Sequence, residues 1–137
     1  MAIRAFLSFV EEDLNLVNLF RGQAKKQDGG LEFHDYSIKI PFNSNIADYI
    51  GRGIADQIKL STMTVCLYGP TTYQSGWVVW ELNKALSFGK PLLGVCLYND
   101  GRVKYYPAPL QPWPRLFWNI PQIVVKMEQL AANYRKG

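Results

Sequence analysis

The run from Thr62 to Leu82 reads TMTVCLYGPTTYQSGWVVWEL. Thr62 to Tyr68 is an apolar stretch of strand length, closed by Gly69-Pro70. From Tyr73 onward the pattern changes to helical spacing, with Val78, Leu82 and Ala85 forming an apolar stripe fit to pack on a sheet. The same spacing puts Trp77 and Glu81 one helical turn apart on one face. A strand feeding a helix through a short turn is the unit of a parallel α/β sheet. Here that unit also sets one carboxylate among tryptophans.

The rest of the chain repeats the unit. Ile3 to Phe9 (IRAFLSF) is a buried-strand signal, and Glu11, Glu12 and Asp13 then place negative charge where a helix begins. Leu16, Leu19, Phe20 and Ala24 recur at helical spacing, Lys25-Lys26 suit the C-terminal end, and Asp28-Gly29-Gly30 stops the helix. Leu31 to Tyr36 (LEFHDY) alternates as a strand near an edge. A loop with Pro41 follows, and Asn45 is expected to cap a helix carrying Ile46, Ile50, Ile54 and Ile58. Gly51 and Gly53 each weaken that helix by about 1 kcal/mol, and close packing is the expected compensation. Beyond Gly89 and Pro91, Leu92 to Tyr98 (LLGVCLY) is continuously apolar, as in a strand covered on both faces.

Between Asn99 and Trp118 the periodicity fails. Pro107, Pro109, Pro112 and Pro114 forbid a regular helix, while Tyr105, Tyr106, Trp113, Phe117 and Trp118 supply bulky apolar area. Residues 99–118 are therefore expected to be an extended segment wrapped on the body. Pro121 suits the first turn of a last helix, over 120–135, bearing Val124, Met127, Leu130, Ala131 and Tyr134. The alternation predicts a single α/β domain over 1–137, a sandwich with a central parallel sheet of about 4–5 strands, helices on both faces and right-handed crossovers. Ligands in such folds sit beyond the carboxyl ends of strands. Those ends are Ser8-Phe9-Val10, Asp35-Tyr36-Ser37, Gly69 to Ser75, and Tyr98-Asn99-Asp100.

Composition narrows the function. The chain has 137 residues, 48% hydrophobic and 19% charged, with a formal charge of +4. That is ordinary for a globular protein of one domain. Lys and Arg are scattered rather than blocked, which gives nucleic-acid binding no support but suits a small anion such as a dinucleotide. The N-terminal run is too short and too soon acidic for a signal peptide, and no apolar stretch reaches spanning length. The protein is read as cytoplasmic and without a membrane segment. Cys66 and Cys96 fall in strand signals, as buried free thiols rather than a disulfide.

Much chemistry is excluded. His34 is the single histidine, which removes His-based metal clusters and Ser-His triads, and the two cysteines have no zinc spacing. Gly51-x-Gly53 lacks a third glycine, and Gly69 to Gly76 lacks the Lys of a phosphate-binding loop. His34 beside Asp35 reads as an edge-strand pair. Carboxylate chemistry remains, with Glu81 first and Asp35 as a second acid. A carboxylate can hold ribose hydroxyls and offset positive charge developing at an anomeric carbon. The alternative is that Trp77 and Trp80 are core and Glu81 is a solvated helix residue, and the pattern alone leaves both open.

The order of these residues resembles the Toll/interleukin-1 receptor (TIR) domain, in the short bacterial form found in Thoeris anti-phage defence. Phe6-Leu7-Ser8-Phe9, Glu11-Glu12-Asp13, Asp35, Pro41 and Ser61 carry the likeness, with Gly89-Lys90-Pro91 before the fourth strand. Tyr73-x-x-Ser-x-Trp-Val-x-x-Glu-Leu is its most specific part. The likeness covers residues 3–98. It implies a flavodoxin-like sandwich that, in enzymatic members, cleaves NAD at the nicotinamide–ribose bond, with Glu81 in the catalytic position. It further implies Trp77 as the aromatic one turn before it, Phe9 lining the nucleotide pocket, and Ser8, Asp35, Ser37 and Ser75 as polar contacts to ribose or phosphate. Lys39 is placed to pair with the pyrophosphate. NAD is the substrate, no metal or cofactor is required, and the product is an ADP-ribose-derived, cyclised messenger for a separate nucleotide-sensing effector. Self-association on activation is expected. Val78 stands where the pattern has Cys, and the loop after the second strand lacks a Pro-Gly pair. The rivals are a non-enzymatic TIR adaptor acting by homotypic assembly and a nucleoside deoxyribosyltransferase-like enzyme. A receiver-type phosphoacceptor is excluded, because Ser8-Phe9 stands where it needs paired acids.

Overall fold

The computed structural model describes residues 3–35 and 44–134. Five strands, β1 (Ile3–Ser8), β2 (Leu31–His34), β3 (Met63–Tyr68), β4 (Leu92–Cys96) and β5 (Arg115–Phe117), form one sheet in the order β2-β1-β3-β4-β5, with every neighbouring pair parallel. Helices α1 (Leu14–Gln27), α2 (Ala47–Lys59), α3 (Gly76–Ser87) and α4 (Ile120–Tyr134) surround it. This is the flavodoxin-like order, as expected.

Strand alternation divides the core into two. Ala5 and Leu7 on β1, Val65 and Leu67 on β3, and Leu93 and Val95 on β4 point to α1 and α4, where Phe20 and Met127 are fully buried. Phe6, Cys66, Tyr68, Leu92 and Cys96 point the other way, to Ile54 and Ile58 of α2 and Val78, Leu82 and Ala85 of α3. Burying each such large side chain contributes about 1.5–3 kcal/mol. With helices on both faces, β3 and β4 are buried at every residue, which is why they read as unbroken apolar runs. Cys66 and Cys96 are buried free thiols.

Two local expectations need correction. Asn45 does not cap α2: the N-cap is Ile46, and no side-chain bond caps that end. On the apolar stripe, Ile54 and Ile58 are fully buried but Ile46, which stands at the N-cap before the helix begins, is 52% exposed. Within residues 99–118, Arg115–Phe117 add the fifth strand, β5, beside β4. In the rest of that segment Leu110 is fully buried and Trp118 Nε1 donates to Gln23 Oε1 of α1 at 2.8 Å. The glycine expectation resolves at one position. A Cβ on Gly51 would stand 3.3 Å from the Trp80 indole, so α2 gives up a side chain where a tryptophan of α3 lies on it.

Candidate active site

β1 ends at Ser8, whose side chain falls on the α3 side of the sheet and is fully buried. On α3, Glu81 lies beside Leu82 on the inward stripe and is only 4% exposed. Ser8 Oγ donates to Glu81 Oε1 at 2.6 Å. The chain adds β2 on one side of β1 and β3 on the other, so this pair sits at the sheet's topological switch point, the usual place for a ligand in such folds. The alternative of a solvated Glu81 is therefore wrong.

Burial is the main influence on that carboxyl and pushes it up; the Ser8 hydrogen bond pulls it down, and the negative charge of Asp35 raises it again. The result is about 8, so at neutral pH the group holds its proton most of the time. Cys66, the register partner of Ser8 on β3, has its thiol pushed far up, by burial first and then by the charge of Glu81. It is therefore unreactive, since the thiolate is the nucleophile.

The turn between β3 and α3 is tied down by its own side chains. Gly69 N–H donates to Thr72 Oγ1 at 2.8 Å, and Thr71 Oγ1 donates to Glu12 Oε2 at 2.8 Å. Ser75 caps α3, its Oγ accepting from Val78 N–H at 3.2 Å. At the far end Gly89 takes φ +71° as Lys90 N–H bonds back to Ala85 O, a glycine-closed helix end.

The other residues singled out from sequence are placed variously. Asp35 is close enough to raise Glu81, but its own carboxylate pairs with Arg21 of α1. His34, in the edge strand, accepts from Arg4 Nε at 2.7 Å. Phe9 packs with the α1–α4 core, across the sheet from Glu81. Trp77 meets Trp80 edge-to-face at 5.7 Å and lines the groove between α2 and α3, with Gly51, Arg52 and Lys84. Ser37 and Lys39 lie outside the described residues.

One acid was missed as a site residue. Asp13, read as charge at a helix start and as part of the family likeness but given no role in the site, is 5% exposed at the carboxyl edge, with Tyr98 Oη donating to Oδ1 at 3.5 Å and, among the described residues, no hydrogen-bond partner on Oδ2. A Cβ on Gly69 would lie 2.6 Å from that oxygen. Burial, then Glu12, raises its pKa, against the Tyr98 bond. No spacing in the sequence links Asp13 to Gly69. Among the described residues, no three His, Cys, Asp or Glu side chains gather as a metal site, and no helix is long and apolar enough to cross a membrane.

A profile of the family described as "Thoeris protein ThsB, TIR-like domain" matches residues 6–102. No curated protein matches the chain. Among solved structures, a 3-dehydroquinate dehydratase-like protein from Bifidobacterium longum is 13% identical with TM-score 0.57, covering 96% of this chain and 97% of that one. The CMP N-glycosidase BcmB of Clostridium botulinum is 13% identical with TM-score 0.57, covering 91% and 98%. The TIR domains of the activated Roq1 resistosome are 22% identical with TM-score 0.49, covering 72% and 60%.

Proposed function

Because the chain belongs to the ThsB family of TIR-like domains, we propose that it cleaves NAD at the nicotinamide–ribose bond and makes an ADP-ribose-derived signalling nucleotide in anti-phage defence. The observation that carries this is the Glu81 carboxyl at the β1/β3 switch point, held by Ser8. Glu81 takes the ribose hydroxyls. The C–N bond to nicotinamide breaks with its electron pair leaving on the ring nitrogen, and positive charge spreads over the anomeric carbon and ring oxygen. An anionic Glu81 stabilises that charge. A hydroxyl or ring nitrogen of the same ADP-ribose then adds to the anomeric carbon, its proton passing to Glu81 or to solvent, and closes the cyclic messenger, which acts on a separate nucleotide-sensing effector.

A neutral carboxyl cannot do this, and Glu81 is pushed up to about 8. The positively charged nicotinamide ring supplies what the free site lacks: a cation beside the carboxyl favours its charged form. Substrate thus ionises the group that stabilises the charge left when its bond breaks. Self-association on activation completes and opens the pocket around Glu81.

The adaptor reading has one observation in its favour, the near-complete burial of Glu81 in a bond to Ser8, which is how a structural carboxyl is also kept. A nucleoside N-glycosidase reading draws on the fold shared with the CMP N-glycosidase, whose 13% identity reaches no residue. Purified protein incubated with NAD, CMP and deoxynucleosides, with product chromatography, separates the three. Nicotinamide release by wild type and none by Glu81→Gln supports the proposal. Inertness of both at every protein concentration leaves the adaptor, and release of a base from CMP or a deoxynucleoside favours the third.

A further inference from the structure

Past the Glu81 site, the carboxyl edge of the sheet continues over β3, β4 and β5, where a cavity of about 280 Å³ opens. Tyr68, Tyr98, Tyr106 and Phe117 wall it, Arg115 and Lys104 supply its charge, and among the described residues no acidic side chain lines it. The nearest carboxylate in sequence, Asp100, is engaged by Arg102 through Nε and Nη2. Arg102 itself lies 4.4 Å over the Tyr98 ring.

Arg115 is a built-in cation. Its Nη1 donates to the carbonyls of Leu110, Gln111 and Trp113 at 2.9, 2.8 and 3.0 Å, and its guanidinium lies 4.2 Å from the Tyr106 ring centroid. None of those bonds uses Nη2 or Nε. The strand below makes room for it. A Cβ on Gly94 would meet Arg115 Cγ at 3.1 Å and Tyr68 Cε1 at 3.2 Å, and glycine inside a strand marks such close approach. Burial foremost pushes the Tyr68 phenol up to about 12, so its O–H stays a donor.

We propose that this cavity is a second, separate site that binds a planar heteroaromatic anion of the mononucleotide class. The base lies against the tyrosine and Phe117 rings, and the phosphate meets Arg115 and Lys104. Aromatic faces take any base by stacking, and guanidinium and ammonium groups are the usual partners of phosphate. The volume lies just under the usual range of ligand cavities, which suits one mononucleotide better than a dinucleotide. The site does not depend on Glu81 having a substrate. Its position on the same strand ends makes it suited to sensing a nucleotide while the other site is occupied.

AMP is the probe, titrated into the full chain and followed by backbone amide shifts and calorimetry. Saturable binding is expected, with shifts at Tyr98, Gly101, Val103 and Leu116, stronger than for adenosine or inorganic phosphate alone, and weakened by salt. Lys104→Glu, at an exposed position, should weaken it by about tenfold, or roughly 1.4 kcal/mol. Phe117→Ala, removing a side chain that is 55% exposed, should weaken it severalfold. Glu81→Gln should leave it unchanged, so failure of the NAD reading would not touch it. Absence of shifts at millimolar AMP overturns the proposal. So does binding that Lys104→Glu leaves intact or that Glu81→Gln abolishes.

Discussion

Ser8 and Glu81 stand 73 residues apart in the chain, yet the hydroxyl at the end of β1 donates to the carboxyl of α3 at 2.6 Å. Besides the ribose contact expected of it, Ser8 holds Glu81 and favours its charged form. Ser8→Ala removes a hydrogen bond that favours the charged form. Such bonds are worth about 1.5–3 kcal/mol, so nicotinamide release should fall by roughly tenfold to a hundredfold while Glu81→Gln abolishes it. The pH at which activity rises should move up in Ser8→Ala. An unchanged pH profile would leave Ser8 with no influence on the carboxyl.

Asp35 works in the opposite direction, because its charge raises Glu81. Asp35→Asn should move the rise in activity to lower pH, against the shift of Ser8→Ala. Arg21 loses its partner in that variant. The pair is partly exposed, so the stability cost should be at most about 1 kcal/mol. Rate against pH for the two single variants checks the sign.

The wild-type profile follows from the same group. With Glu81 near 8 in the folded chain against 4.5 as its ordinary value, kcat/KM should rise through about pH 8. Stability should respond oppositely. Between pH 4.5 and 8 the folded chain holds a proton that the unfolded chain has released, so unfolding free energy falls as pH rises. The slope approaches roughly 1.4 kcal/mol per pH unit. Glu81→Gln removes this contribution, and urea midpoints of the two proteins should diverge in favour of the variant on going from pH 5 to pH 8. Parallel curves would show that Glu81 is not buried as a neutral acid.

Gly69→Ala forces a methyl to within 2.6 Å of Asp13 Oδ2, and overpacking of this kind costs about 1–3 kcal/mol. Adding Asp13→Ala removes the obstruction and should recover most of that loss. A double-mutant cycle by urea denaturation measures the coupling. Simple additivity would mean that the turn after β3 moves aside freely.

How far the chain could be read depended on distance along it. β3 and β4 are unbroken apolar runs because helices cover both their faces, and Glu81 was found because Trp77, Val78 and Leu82 fix its helix and stripe. β5 was not legible: three residues between Pro112-Trp113-Pro114 and Trp118, alternating exposed and half-buried, carry too short a pattern. The α2 cap was misread because Asn45 is a good capping residue in general, yet the backbone turns one residue later, at Ile46. Within the site, sequence reached single residues and not their partners. Nothing local joins Ser8 to Glu81, Arg21 to Asp35 or Asp13 to Gly69, since each pairing arises only when parallel strands line up their ends.

Gly94 has a bearing on how this protein can be taken apart. One absent methyl group in the middle of β4 is what lets Tyr68, Leu110 and Arg115 converge on the same few ångströms of backbone. The matched family region ends at residue 102, which invites treating the remainder as an exchangeable cassette. It is not one. A chimera that grafts a foreign tail after residue 102 inherits a notch in β4 cut for this tail's leucine and arginine, and will carry a void there unless both return with it.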